Sequence, residues 1–181
     1  MERSLTLIAL FAALIAALGL IPKLTLAFGV PITAQSLGIM LCGTVLGAKR
    51  GGLAAMLFVA LVLIGLPLLA GGRGGLGVLA SPSMGFFIGF PIAAFATGFV
   101  MEQMGRFPVA WAAGIAACVG GILTLYLFGI MGMMMMLQKG PVEALLLVSA
   151  FIPGDMIKAV LAGLITAALA RARPASVLSR V

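Results

Sequence analysis

Of the 181 residues, 64% are hydrophobic and 8% charged, whereas a water-soluble domain carries about 25% charged residues. That leaves too little polar surface for a soluble domain, so the chain reads as an integral membrane protein, all-α, in one compact domain. The 11 Lys and Arg against four acids give a formal charge of +7, but they fall at the ends of apolar blocks and form no basic patch interleaved with aromatics, which argues against nucleic acid as a partner.

Apolar blocks run over residues 5–21, 34–48, 52–69, 84–101, 108–130 and 142–170. The first is longer than the apolar region of a cleavable leader and reads as a retained span. Within it Ala9, Ala13 and Ala17 recur every fourth residue, a smooth face that a second helix can approach closely. Either internal packing or docking to a separate membrane subunit fits that face. The second block is short against the roughly 20 residues of a straight span, so it is predicted to be buried or tilted. Thr33 and Gln35 open it, and Gln35 either lines a cavity or caps the helix.

Between the third and fourth blocks, residues 65–91 read GLPLLAGGRGGLGVLASPSMGFFIGFP. Glycines at 71, 72, 74, 75 and 77 allow tight turns and close approach to a ligand. Arg73 is the sole charge there, and its planar fork suits a carboxylate. Contact with lipid headgroups is the alternative. No GKS/T sequence follows, so the loop is a poor phosphate cradle. The methionines at 131 and 133–136 point around a helix rather than into a ligand cage, and read as a pliable apolar loop, not a Cu(I) site. Pro153-Gly154 breaks the last block. The final span is predicted over 155–170, with 142–152 a separate short helix covering its start.

Absence of histidine removes HExxH zinc chemistry, His-ligated haem and Ser-His-Asp triads. Cys42 and Cys118 stand alone in apolar runs and read as small buried side chains. Placing both termini in the cytoplasm leaves Arg3, Lys49, Arg50, Arg106, Arg171, Arg173 and Arg180 inside, and Lys23, Arg73 and Lys139 outside. The positive-inside bias favours that orientation. Connections 22–33, 70–82 and 131–141 are then external.

Asp155 and Lys158 are the acid and base that the hydropathy pattern drives to membrane depth, where a charge costs about 2.5–3.5 kcal/mol on insertion scales. Three residues apart on a helix, they share a face. Two readings stand: an ion pair that satisfies itself and fixes the helix, or a pair that hydrogen-bonds a polar ligand. An ionised Asp only accepts and a protonated Lys only donates, which matches a ligand with N–H groups beside a carbonyl or carboxylate.

Three stretches, GVPITAQSLGIMLCGTVLGAKRGGLA, GLPLLAGGRGGLGVLASPSMGFFIGFP and FIPGDMIKAVLAGLI, together resemble the BioY family, the biotin-binding S components of energy-coupling factor (ECF) transporters. The resemblance extends from about residue 5 to 170, and the PGD-x-x-K sequence opening the last span is its most specific part. It implies a six-transmembrane-helix bundle in the prokaryotic plasma membrane, with a biotin pocket near its outer end. Asp155 and Lys158 would contact the ureido ring, and Gln35 would help to orient it. Arg73 falls in the loop that closes over the ligand. Ser83 keeps a hydroxyl where Thr is common, Met84 replaces a Gly, and Phe86 stands where Tyr is common; these departures place any tyrosine hydroxyl contact in question. The resemblance further implies that Ala9, Ala13 and Ala17 contact a transmembrane coupling subunit (EcfT/BioN type) and that partner ABC-type ATPases supply energy. No cofactor is implied, and no Walker A sequence occurs in the chain.

The rivals are an S component for a different vitamin, a membrane-embedded enzyme, and an assembly protein with a structural Asp-Lys pair. Whether the chain works alone, as a homo-oligomer or only with partners is open at this level.

Overall fold

The computed structural model describes residues 2–27 and 29–180. Its helices are α1 (Glu2–Leu18), α2 (Gln35–Leu46), α3 (Ala48–Leu63), α4 (Met84–Gln103), α5 (Val109–Cys118), α6 (Leu125–Leu137), α7 (Pro141–Ser149) and α8 (Ile152–Ala172). A π-helical turn, Val119–Thr124, joins α5 to α6. The continuous rod Val109–Leu137, together with α4 and α8, is long and apolar enough to cross a membrane. A two-residue antiparallel hairpin, β1 (Leu24–Thr25) with β2 (Pro31–Ile32), lies between α1 and α2.

α2 sits at the centre of the bundle. All its residues but Leu37 are buried, and it packs against α1, α3, α4, α5 and α8. A 12-residue helix of about 18 Å cannot cross the bilayer core unaided, and its neighbours shield both its ends. Exposed apolar side chains such as Trp111, Leu127, Ile157 and Leu164 line the outside of the bundle, as expected where lipid is the solvent. Close helix contact rests on small residues: a Cβ at Gly85 of α4 would run into the backbone of Phe128 and Gly132 of α6.

The π turn absorbs one extra residue. Inward positions recur every fourth residue along α5 at Ala112/Ala113 and Ala116/Ala117, continue to Gly120/Gly121, then step by five to Leu125/Tyr126. Without that step, α6 would present a face turned by about 100°.

Three expectations are corrected. The final helix starts at Ile152, not Asp155, because Pro153 occupies its first turn, where a missing N–H costs nothing. At 21 residues it reaches about 32 Å, enough for the hydrocarbon core. Methionines 131–136 are helical, the rod running on to Leu137; Met is a good helix former. Finally, the third helix occupies Ala48–Leu63 rather than 52–69, since Gly65, at φ +112°, and Pro67 end it early.

At the end of the bundle where α1 begins and α8 ends, Glu102 of α4 accepts a hydrogen bond from the first backbone N–H of α3, at Ala48 (2.8 Å). Residues 174–180 fold back across the same end, burying Val177 and Ser179.

Candidate functional site

At the opposite, hairpin end a cavity opens among the helices, about 590 Å³ of empty space with its open mouth included. Five stretches of chain wall it. The hairpin arm supplies Val30, Pro31, Ile32 and Thr33, and the start of α2 supplies Gln35 and Ser36. Leu69 and Arg73 come from the glycine-rich connection, with Ser83, Phe86, Phe87 and Phe90 from the start of α4. Leu125, Phe151, Asp155 and Lys158 close the far side. Six residues singled out from the sequence, Asp155, Lys158, Arg73, Gln35, Ser83 and Phe86, thus line one cavity.

Asp155 and Lys158 pair at 2.8 Å, their side chains 8% and 14% exposed. Ser36 stands between them: its Oγ donates to Asp155 Oδ1 (3.1 Å) and accepts from Lys158 Nζ (3.0 Å). Tyr126 donates from its hydroxyl to Asp155 Oδ2 at 2.7 Å. A carboxylate has about four acceptor sites, an ammonium three donors, and a hydroxyl one donor and two acceptors. Subtracting the bonds made among the described residues leaves one acceptor on Asp155 Oδ2, one on Ser36 Oγ and one donor on Lys158 Nζ. The pair is therefore neither fully self-satisfied nor a bare charge: it presents two acceptors and a donor side by side.

Gln35 is 1% exposed, and its amide is committed to the scaffold. Its Nε2 donates to the carbonyls of Ile15 (3.2 Å) and Leu68 (3.1 Å), and its Oε1 accepts from Ala70 N (3.1 Å). It ties α1, α2 and the glycine-rich connection together, and its place on the cavity wall follows from that. Lys23 reaches the same connection, Nζ to Ala70 O at 3.4 Å. Position 71 favours glycine for its backbone, at φ +82°; a Cβ there would also meet Lys23 Nζ, the mobile end of a long side chain.

Arg73 donates from Nη1 to Ser83 Oγ (3.3 Å). Its Nε is buried and meets no acceptor among the described residues. Burial pulls the guanidinium pKa below its ordinary value, the expected sign when a cation loses water without gaining a counter-charge. This end of the cavity is thus cationic and short of an acceptor. Between the two polar ends lie aromatic walls, Phe86 packing on Phe151 with ring centroids 5.7 Å apart.

Ala9, Ala13 and Ala17 lie elsewhere, exposed along one side of α1. Ser36, Tyr126 and Phe151 were not picked out from the sequence. Ser36 adjoins Gln35 inside a quoted motif. Tyr126 is the chain's one tyrosine, in mid-span, and a buried phenol needs a partner; that was the available signal. Among the described residues no group of three His, Cys, Asp or Glu is placed to hold a metal ion.

A helical membrane bundle with an end-on cavity, polar at both ends and aromatic between, defines the class: a membrane-embedded small-molecule binder. The BioY family model matches residues 2–175, and the chain belongs to that family. It is 52% identical to the biotin transporter BioY of Rhodobacter capsulatus, the match covering 99% of this chain and 100% of that one. With the biotin transporter BioY of Rhizobium etli the identity is 49%, covering 90% of each. The crystal structure of an S-component for biotin from an ECF-type ABC transporter superposes with a TM-score of 0.88 at 32% identity, covering 94% of this chain and 92% of that one.

Proposed function

We propose that this chain is the biotin-specific S component of an ECF-type uptake transporter, capturing biotin at the hairpin end, which faces outside. The observation that carries this is the unspent hydrogen-bonding capacity of the Asp155–Ser36–Lys158 cluster: two acceptors and one donor. A cyclic urea presents two N–H donors flanking a carbonyl acceptor, the complementary set. The aromatic walls suit the ligand's fused rings, and Arg73, whose buried Nε meets no acceptor among the described residues, suits a carboxylate at the far end. Membership of the family and the biotin transporters among its relatives support the same ligand.

On this reading the chain binds and does not catalyse, and it needs no cofactor. It spans the prokaryotic plasma membrane several times with both termini in the cytoplasm, as the distribution of Lys and Arg favours. The exposed Ala9, Ala13 and Ala17 face is where a transmembrane coupling subunit would dock, with ABC-type ATPases beyond it supplying energy.

Equilibrium binding of radiolabelled biotin to the detergent-purified chain tests the assignment. Wild-type binding with loss in both Asp155→Asn and Lys158→Ala is expected. Undiminished binding in both variants overturns the site, and binding of flavin or thiamine in place of biotin overturns the ligand.

A further inference from the structure

We infer that Tyr126 is a positioning residue for ligand recognition, acting through Asp155 and selecting for a ring N–H. The inference rests on the reading above that Asp155 receives a donor from the ligand. Both partners of Oδ1, Ser36 and Lys158, line the cavity. Tyr126 is not among the residues that wall it and binds Oδ2 instead. No ligand in the cavity need touch it.

Its effect on the carboxylate is geometric. The terminal torsion of an Asp side chain is soft and two-fold. Ser36 and Lys158 hold Oδ1 and so already restrain that torsion, but they leave both lone pairs of Oδ2 open. The phenol, at 2.7 Å within the short range of charge-assisted O–H···O⁻ bonds, pins Oδ2 and takes one of its two lone pairs. The remaining one is left with a set direction, which serves a ligand N–H and nothing that lacks one.

The placement of the phenol is itself built in. Tyr126 is buried and lies edge-on to Phe86, centroids 6.3 Å apart, so its ring cannot follow a moving carboxylate. It reaches the inner face of α6 because the π turn absorbs one residue just before it. A phenylalanine would fill the same volume in this apolar setting, so packing alone does not require the hydroxyl. The hydroxyl is explained by Asp155.

The test compares biotin with biotin methylated on a ureido nitrogen, using the full-length chain in detergent. Wild type is expected to prefer biotin strongly. Tyr126→Phe is expected to bind biotin about 10-fold or more weakly, because the ligand's own N–H bond to the charged carboxylate loses its alignment, while its affinity for the methylated ring changes little, so the preference collapses. An equal loss for both ligands, or no loss for either, overturns the inference. If wild type shows no preference, or Asp155→Asn binds biotin like wild type, the underlying reading of the site fails instead. Tyr126 is the only tyrosine, so biosynthetic 3-fluorotyrosine labels it alone and serves if Tyr126→Phe does not fold. Its ¹⁹F line is expected to move more with biotin than with the methylated ligand at saturation; equal displacement, or none, counts against the inference.

Discussion

Gly129 of α6 lies against the ring of Phe86 from α4 so closely that a Cβ at position 129 would overlap the ring's outer carbons. One missing methyl on α6 thus sets how far Phe86 withdraws from the cavity, and with it the width between Phe86 and Phe151. The same pair of helices meets one turn on at Gly85 and Gly132, where the two backbones are in close contact. Gly129→Ala is therefore expected to push the ring into the cavity. Overpacking costs about 1–3 kcal/mol, and here it should appear mainly as weaker biotin binding. Combining Gly129→Ala with Phe86→Leu should recover much of the affinity, measured by equilibrium binding of both variants.

Asp155 and Lys158 form a buried pair and, in the proposed function, also bind the ligand; substitutions can separate the two roles. Removing one partner of a buried pair strands the other charge, at about 3–5 kcal/mol. Lys158→Met alone should therefore lower the thermal stability of the ligand-free protein. Replacing both, as Asp155→Leu with Lys158→Met, removes the stranded charge and should restore much of that stability, yet biotin binding should stay lost. Thermal unfolding with and without biotin reads both effects, since a ligand shifts the midpoint only when it binds the folded state.

Legibility in the sequence followed the range of the interaction. Lipid-facing hydropathy is local, so the presence of apolar helices could be read from composition though not all their ends, and two charges three residues apart in an apolar run announced themselves. Pro153 misled because proline breaks a helix interior yet suits a first turn, and only the position of Phe151 and Ile152 in space decides which applies. The partners of Asp155 were hidden for a different reason: Ser36 lies 119 residues away and Tyr126 29 residues away. Nothing in the local pattern at either position states that α2 and α6 converge on α8. Gln35 could be read as lining a cavity or capping a helix; its three bonds to backbone far along the chain are a third role that spacing cannot reveal.

Among the described residues Arg73 makes one side-chain hydrogen bond, to Ser83, and its buried Nε meets no acceptor. A ligand carboxylate would supply the missing acceptor in the bidentate manner that a guanidinium fork favours. Arg73→Met should weaken biotin by about tenfold or more, as expected for a lost bond to a charged group, but should barely alter binding of the uncharged biotin amide. Arg73→Lys should recover only part of the loss, because an ammonium cannot reproduce the fork. Competition of biotin and its amide against a labelled ligand distinguishes these outcomes.

The C-terminal segment performs a task at the other end of the bundle. The last four carbonyls of a helix have no partner within it, and in α2 one of them, at Thr44, is met by the Ser179 hydroxyl. Thr44 also accepts at Oγ1 from Thr166 of α8 (2.9 Å), so the central helix is tied to the final helix and to the returning chain at one point. Arg180 extends the strap, donating to the carbonyls of Gly105 (2.8 Å) and Phe107 (3.3 Å) beyond α4. Ser179→Ala removes the donor from a buried carbonyl and should cost about 1–3 kcal/mol; a chain ending at Arg173 should lose more, since burial of Val177 goes with it. Because the strap and the cavity lie at opposite ends and share no partner, effects at the two should be independent. Biotin affinity at a temperature where both proteins are folded is expected to stay within about twofold of wild type, with thermal unfolding carrying the whole change. A parallel fall in affinity would instead mean that the strap sets the position of α2, and hence of Ser36, from the far end of the helix.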